Sequence, residues 1–133
     1  MNDALDASAM VAYLNGEPGG LVVRQLLTDS SAMCYAHAVS LCEVYDGFVR
    51  DVNEQTALAA LATLSADGVL PRQDMNSDSW MDVGRIKARG RIAPGDCFCV
   101  AVARASDGEA VTSDHTEFDP LVPAGVCRVV FIR

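Results

Sequence analysis

Four acids stand where their spacing suits them to chemistry. Asp96 lies in Pro94-Gly95-Asp96-Cys97-Phe98-Cys99-Val100-Ala101-Val102-Ala103-Arg104. Pro-Gly, then an acid, then small and apolar residues read as a loop turning into a buried helix, with the acid in its first turn. Asp6, Glu43 and Asp114 each follow or closely trail a short apolar segment that reads as a strand, so a parallel sheet would bring all four acids to one edge. Clustered carboxylates repel, raise one another's pKa and lose solvation, which is costly unless a cation sits among them. Oxygen-only donors select a hard divalent ion, Mg²⁺ or Mn²⁺, with water completing the octahedron. Such an ion lowers the pKa of a bound water, orients it for in-line attack on phosphorus and neutralises the leaving oxygen. No Cys/His or Ser/His pair near this edge offers a nucleophile, so the expected reaction is phosphodiester hydrolysis.

Each acid alone has a plainer explanation. Asp6 can cap a helix together with Ser8. Ser40-Leu41-Cys42-Glu43 matches a capping box, in which Glu43 bonds back to the backbone at Ser40. Asp96 in a first turn is favoured by the helix dipole, and Asp114 fits an Asx-type turn. None of these explains why four acids fall at one edge.

The elements that must position them follow from periodicity. Ala4-Leu5-Asp6-Ala7-Ser8 reads as a short strand ending in a polar turn, and residues 9–14 as a helix stopped by Asn15-Gly16. Glu17-Pro18 opens a second helix through Val22, Val23, Leu26 and Leu27, and residues 33–36 form the next strand. From Ser40 a helix runs through Leu41, Val44, Tyr45, Phe48 and Val52, apolar at three- and four-residue spacing. Glu54–Ala66 is a further helix, closed by Asp67-Gly68, and Val69-Leu70 is a brief strand that Pro71 ends. Ser77 or Asp78 caps a helix carrying Trp80, Met81, Val83 and Ile86 that ends at Gly90. After the Asp96 helix, Glu109–Thr112 is a strand, 113–117 its exit loop, and 128–132 a last strand whose continuous apolar run suits a sheet covered on both faces. Strands alternating with helices imply an α/β fold, a three-layer α/β/α sandwich around a mostly parallel sheet of four to five strands. Such sheets bind ligands at the carboxyl ends of their strands.

Composition bounds the answer. A chain of 133 residues, half of them hydrophobic, is expected to form one domain over 1–133. No apolar run reaches membrane-span length and the start lacks a basic leader, so the expected location is cytoplasmic. Five scattered cysteines read as reduced core thiols; Cys97 and Cys99, two apart on a helix, point about 200° apart and do not chelate one ion. A net charge of −8 argues against nucleic-acid binding by a general basic field. A nucleic-acid enzyme would need metal ions, a local basic strip or a partner chain.

Taken together, Leu5-Asp6-Ala7-Ser8-Ala9, then Glu43 after the second strand, then Gly95-Asp96 before the small-residue helix Val100-Ala101-Val102-Ala103, then Thr112-Ser113-Asp114 with Phe118 just beyond, resemble the PIN-domain ribonucleases. Order and spacing are most similar to the VapC-type toxins of bacterial toxin–antitoxin pairs. The resemblance implies a metal-dependent endoribonuclease in which Asp6, Glu43, Asp96 and Asp114 hold one or two Mg²⁺ or Mn²⁺ ions, with Ser8 and Thr112 as polar neighbours. It implies an RNA substrate, a VapB-like antitoxin partner and a homodimer, with no membrane. A catalytically silent PIN-like interaction module is the alternative. A phosphoacceptor receiver domain needs a lysine late in the fold, and the single lysine, Lys87, precedes the Asp96 helix.

The remaining candidates are weaker. His115 stands where relatives often carry a basic residue, and both it and His37 have the plainer reading of structural or solvated histidines. Arg85, Lys87, Arg89 and Arg91 form the one basic cluster, with Arg85 and Arg89 on one helical face, suited to RNA phosphates, an acidic partner segment or simple solvation. Trp80 and Met81 are expected in the core. A groove lined by Tyr13, Leu14, Val22 or Leu26 is the expected antitoxin contact.

Overall fold

In the computed structural model, which describes residues 2–133, every strand runs parallel to its neighbours and the order across the sheet is β3-β2-β1-β4-β5. β1 (Asn2–Leu5) is central, flanked by β2 (Met33–His37) and β4 (Glu109–Thr112), with β3 (Val69–Arg72) and β5 (Arg128–Phe131) at the edges. On one face lie α1 (Ala7–Leu14), α2 (Gly20–Thr28), α3 (Ala38–Asp51) and α4 (Glu54–Ala66). On the other lie α5 (Ser77–Lys87), α6 (Pro94–Ala105) and the short α7 (His115–Phe118), followed by a 3-10 turn (Asp119–Leu121). The molecule is a three-layer α/β/α sandwich.

The side-chain alternation of a strand divides the core between these faces. Ala4, Ala110 and Phe131 pack towards α6, whereas Leu5, Val111 and Val130 pack towards α1 and α3. Helix α6 lies across β1, β2 and β4. Its Cys97, Cys99, Val100, Ala101, Val102 and Ala103 are all buried, and their small size is what lets the helix approach the sheet. Cys99 donates its thiol to the Ala4 carbonyl at 3.3 Å. The expectation of core thiols holds for Cys34, Cys97 and Cys99, while Cys42 is exposed.

Several boundaries differ from the sequence reading, each for a local reason. β1 starts at Asn2, before Ala4, because a ladder on both sides fixes Asp3 opposite Cys34 and Glu109 despite its poor strand propensity. α2 begins at Gly20, after Glu17-Pro18: Gly19 sits at φ 95°, and a Cβ on Gly20 would lie 2.7 Å from the Ala12 carbonyl oxygen. Only that glycine pair brings α2 close to α1. β3 continues through Pro71, which an edge strand tolerates. The apolar run of β5 also lies on an edge and is half-buried, so it is not covered on both faces. Asn76 caps α5, in place of Ser77 or Asp78, and the helix ends at Lys87, before Gly90. Trp80 and Met81 are exposed and lie outside the core. At 100° per residue they sit roughly 120–140° around α5 from the buried Ile86.

The start of α3 matters most. The capping residue is His37, whose Nδ1 accepts from the Val39 amide at 3.0 Å. The neutral ring then donates from Nε2 to the Asp74 carbonyl at 3.0 Å and stacks on Phe98 of α6, centroids 4.4 Å apart. Ser40 is buried inside the helix, so the capping-box reading fails and Glu43 owes nothing to the helix start. Its carboxylate projects from the second turn of α3 towards α6.

Candidate active site

A parallel sheet has a natural crevice where neighbouring strands send their connections to opposite faces. Here that point lies between β1, which leads into α1 on one face, and β4, which leads into α7 on the other. Asp6 follows β1 and Asp114 follows β4, so both acids sit at the mouth of this crevice. Asp96 enters from the first turn of α6, and Glu43 from α3.

Asp6 is the most constrained of the four and is 2% exposed. Its Oδ1 accepts from the Ala9 amide at 2.8 Å and from the Ser8 hydroxyl at 2.7 Å, and its Oδ2 accepts from the Thr112 hydroxyl. Capping is therefore one of its jobs, as the simpler reading had it, yet the cap leaves acceptor capacity on Oδ2. Ser8 and Thr112 hold β1 and β4 in register at the crevice. The Ser8 oxygen accepts from the Ser113 amide at 3.0 Å, and the Thr112 oxygen accepts from the Asp114 amide at 2.9 Å.

The tightest cluster is Asp96, Asp114 and Glu117, whose carboxylate oxygens lie within 4.8 Å of one another. Glu117 was read only as part of an exit loop. The segment is instead the short helix α7, capped by Asp114, whose Oδ1 accepts from the Glu117 amide at 3.1 Å. One helical turn therefore brings Glu117 back over Asp114. Asp114 at i and Glu117 at i+3 was the available signal, a capping-box pattern just after a strand. Glu117 Oε2 also accepts from the Ala93 amide at 3.0 Å, which ties α7 to the loop that launches α6.

Asp6 and Glu43 stand outside that three-acid set but within electrostatic reach of it. Glu43 lies directly over Gly95: a Cβ there would collide with Glu43 Oε1. Gly95 thus gives the Glu43 carboxylate its place beside Asp96. The structure gathers all four sequence-chosen acids and adds a fifth.

Their protonation shows the strain of this gathering. Burial, then the hydrogen bond to Glu117 and the charges of Asp6, Glu117 and Asp114, push the Asp96 carboxyl up to about 9. Glu117, which accepts Asp96's proton, is held below the usual range. Burial also raises Asp6, despite its hydrogen bonds, and raises Glu43, with help from Asp6 and Glu117. A site that forces a carboxylic acid to keep its proton at neutral pH is one a divalent cation would relieve. The donors are all oxygen, which suits a hard ion such as Mg²⁺ or Mn²⁺.

His115 takes no part. Its Nδ1 pairs with Asp119 at 2.9 Å, its Nε2 donates to the Arg133 carbonyl at 2.7 Å, and its ring stacks on Phe131. These acceptors raise its pKa. Both ring nitrogens are occupied in fastening α7 to the end of the sheet.

A sequence model described as PIN domain matches residues 4–119. No curated protein matches the chain significantly. Among solved structures, the chain is similar to VapBC2 from Rickettsia felis bound to a promoter DNA fragment, at 14% identity over 98% of each chain with a TM-score of 0.76. It is similar to DNA-bound VapBC from Salmonella typhimurium at 16% identity, covering 100% of this chain and 99% of that one, with a TM-score of 0.75. It is also similar to Mycobacterium tuberculosis VapC20, described as a sarcin-ricin loop cleaving toxin, at 16% identity over 89% of this chain and 94% of that one, with a TM-score of 0.71. At such identities these likenesses establish the fold.

Two outcomes are expected from this geometry. Because the Asp96 pKa is raised on folding, the metal-free folded state binds more protons than the unfolded chain between the ordinary carboxylate range and about pH 9. Stability therefore falls as pH rises through that window. Thermal melts in chelator should show the decline, and Asp96→Asn should flatten it and raise the melting temperature at pH 8. Gly95→Ala should fold normally, since alanine suits a helix, yet displace the Glu43 carboxylate. Mn²⁺ affinity, read by electron paramagnetic resonance, should drop roughly 10-fold or more, whereas unchanged affinity would detach Glu43 from the site.

Proposed function

The chain belongs to the PIN domain family, and on that premise we propose that it is a metal-dependent endoribonuclease of the VapC toxin type, forming a single PIN-like domain over 1–133. The observation that supports this best is the proton trapped on Asp96 among Asp6, Asp114, Glu117 and Glu43. Asp6, Glu43, Asp96 and Asp114, joined by Glu117, would hold one or two Mg²⁺ or Mn²⁺ ions. When bound, such an ion supplies an activated water and charge neutralisation at phosphorus, leaving a 5′-phosphate and a 3′-hydroxyl.

The protein's own part is preorganisation. Asp6 cannot rotate, because the Ala9 amide and two hydroxyls hold both its oxygens. Asp114 is fixed at both ends, by its own amide on Thr112 and by its carboxylate on the Glu117 amide. Asp96 and Glu117 share one proton, so this pair yields it when a cation enters. Glu43 approaches on a separate helix over a glycine and has the freedom to adjust.

The same reading assigns a VapB-like antitoxin as partner, a homodimer and a cytoplasmic location. Among the described residues no helix is long and apolar enough to cross a membrane. Two grooves suit a partner segment. One lies between α1 and α3, lined by Val11, Val44, Phe48 and Val52. The other is lined by Tyr13 and Leu14 together with Gly20 and Leu21; Val22 and Leu26 turn instead towards the core.

The test is cleavage of a structured RNA with Mn²⁺, with and without chelator, beside Asp6→Asn and Asp96→Asn. The expected result is chelator-sensitive cleavage that falls about 100-fold or more in either variant. Cleavage that survives both substitutions would identify a contaminant. A wild-type chain that takes up Mn²⁺ without cutting any RNA would mark a silent interaction module.

A further inference from the structure

The basic cluster of the sequence divides in three dimensions. Arg85 pairs with Asp82 at 3.5 Å, and Asp82 also holds Arg104 at 3.0 Å, so the charges in the cleft between α5 and α6 are matched internally. Arg50, Arg72 and Arg128 likewise have carboxylate partners. Arg89 and Arg91 differ. They lie beyond the end of α5, are exposed, and among the described residues make no ion pair and no side-chain hydrogen bond.

Both line a cleft of about 320 Å³ whose wall is Glu117 of the acid cluster and whose floor includes the buried Ile92 and Leu121, with Thr116 on its rim. That volume is at the small end of ligand pockets and suits one nucleotide. An apolar floor beside two free guanidiniums and a hydroxyl matches a sugar and base carrying a phosphate, since arginine forks bind phosphate oxygens bidentately. Glu117 does not oppose this: it is engaged by the Ala93 amide and by Asp96. In a chain of net charge −8, free cations touching the acid cluster meet the need for a local basic strip.

We propose that this cleft, between the loop joining α5 to α6 and α7, receives the RNA nucleotide adjoining the scissile bond, its phosphate held by Arg89 and Arg91. The inference rests on the nuclease reading for the identity of the polyanion. Because the cleft shares Glu117 with the acids, a nucleotide seated there places the next phosphodiester at the crevice between β1 and β4. The two arginines are positioning residues and act on substrate binding.

The double variant Arg89→Gln/Arg91→Gln tests this, with Arg24→Gln as a control that removes charge at the distant groove near Tyr13. Both arginines are exposed and unbonded, so the fold should be retained, which melting verifies. In cleavage assays the double variant should raise KM about 10-fold or more with kcat within about twofold, while the control stays near wild type. Binding of a fluorescent single-stranded oligoribonucleotide in chelator should weaken in parallel, with the log–log salt slope shallower by about 1.4, or ~0.7 per lost phosphate contact. Mn²⁺ affinity should be unchanged.

Equal binding by wild type and double variant overturns the proposal, even if the wild type cleaves RNA. Loss of Mn²⁺ uptake in the double variant also overturns it, by assigning the arginines to the acid cluster. So does a polyglutamate peptide that binds through Arg89 and Arg91 when RNA does not, because that makes the cleft an acidic-protein site. If RNA binds through these arginines but no condition yields cleavage, the nuclease reading fails and the cleft assignment stands.

Discussion

Repulsion among carboxylates is the constraint on which the rest of this molecule depends. Left to themselves, Asp6, Glu43, Asp96, Asp114 and Glu117 would point into solvent and apart. They converge because each is anchored by something that folding supplies independently: a hydrogen-bonded cap, a helix start, a glycine that removes a steric block. The cost is visible in Asp96, which keeps its proton far above the ordinary range. A fold that tolerates this is organised around a missing positive charge.

The anchoring runs deeper than the acids. β1 and β4 are adjacent although 104 residues separate Ser8 from Thr112, and hydroxyls on these two residues clamp the strand ends together through Asp6. On the far side, His37 caps α3, reaches the Asp74 carbonyl and stacks on Phe98. That single side chain sets the spacing between the helix that bears Glu43 and the helix that bears Asp96. The small residues of α6 do the complementary work by letting the helix lie close to three strands. Site geometry is thus a consequence of core packing, which is why substitutions in the core would be felt at the acids.

Much of this was legible in the chain. Pro94-Gly95-Asp96 before a run of small residues announced a buried helix with an acid in its first turn, and the alternation of strand and helix patterns announced a parallel sheet. What escaped has physical reasons. Ser40 carries the local signature of a cap, but the cap is a histidine whose role depends on Phe98 and Asp74, far off in sequence. Asp3 looks unfit for a strand, and only pairing on both sides keeps it there. Glu117 belongs to a helix too short to show a period, so its return over Asp114 could be read only as a turn. The basic residues 85–91 look like one patch in sequence, whereas the end of α5 at Lys87 sends Arg85 and Arg89 to different surfaces.

The most direct test is calorimetric titration of the metal-free protein with Mn²⁺ at pH 7 in two buffers of different ionisation enthalpy. A site where Asp96 holds a proton until a cation displaces it predicts uptake accompanied by release of about one proton, with the release vanishing above about pH 10. Heat that is independent of the buffer, or no uptake at all, would contradict the account.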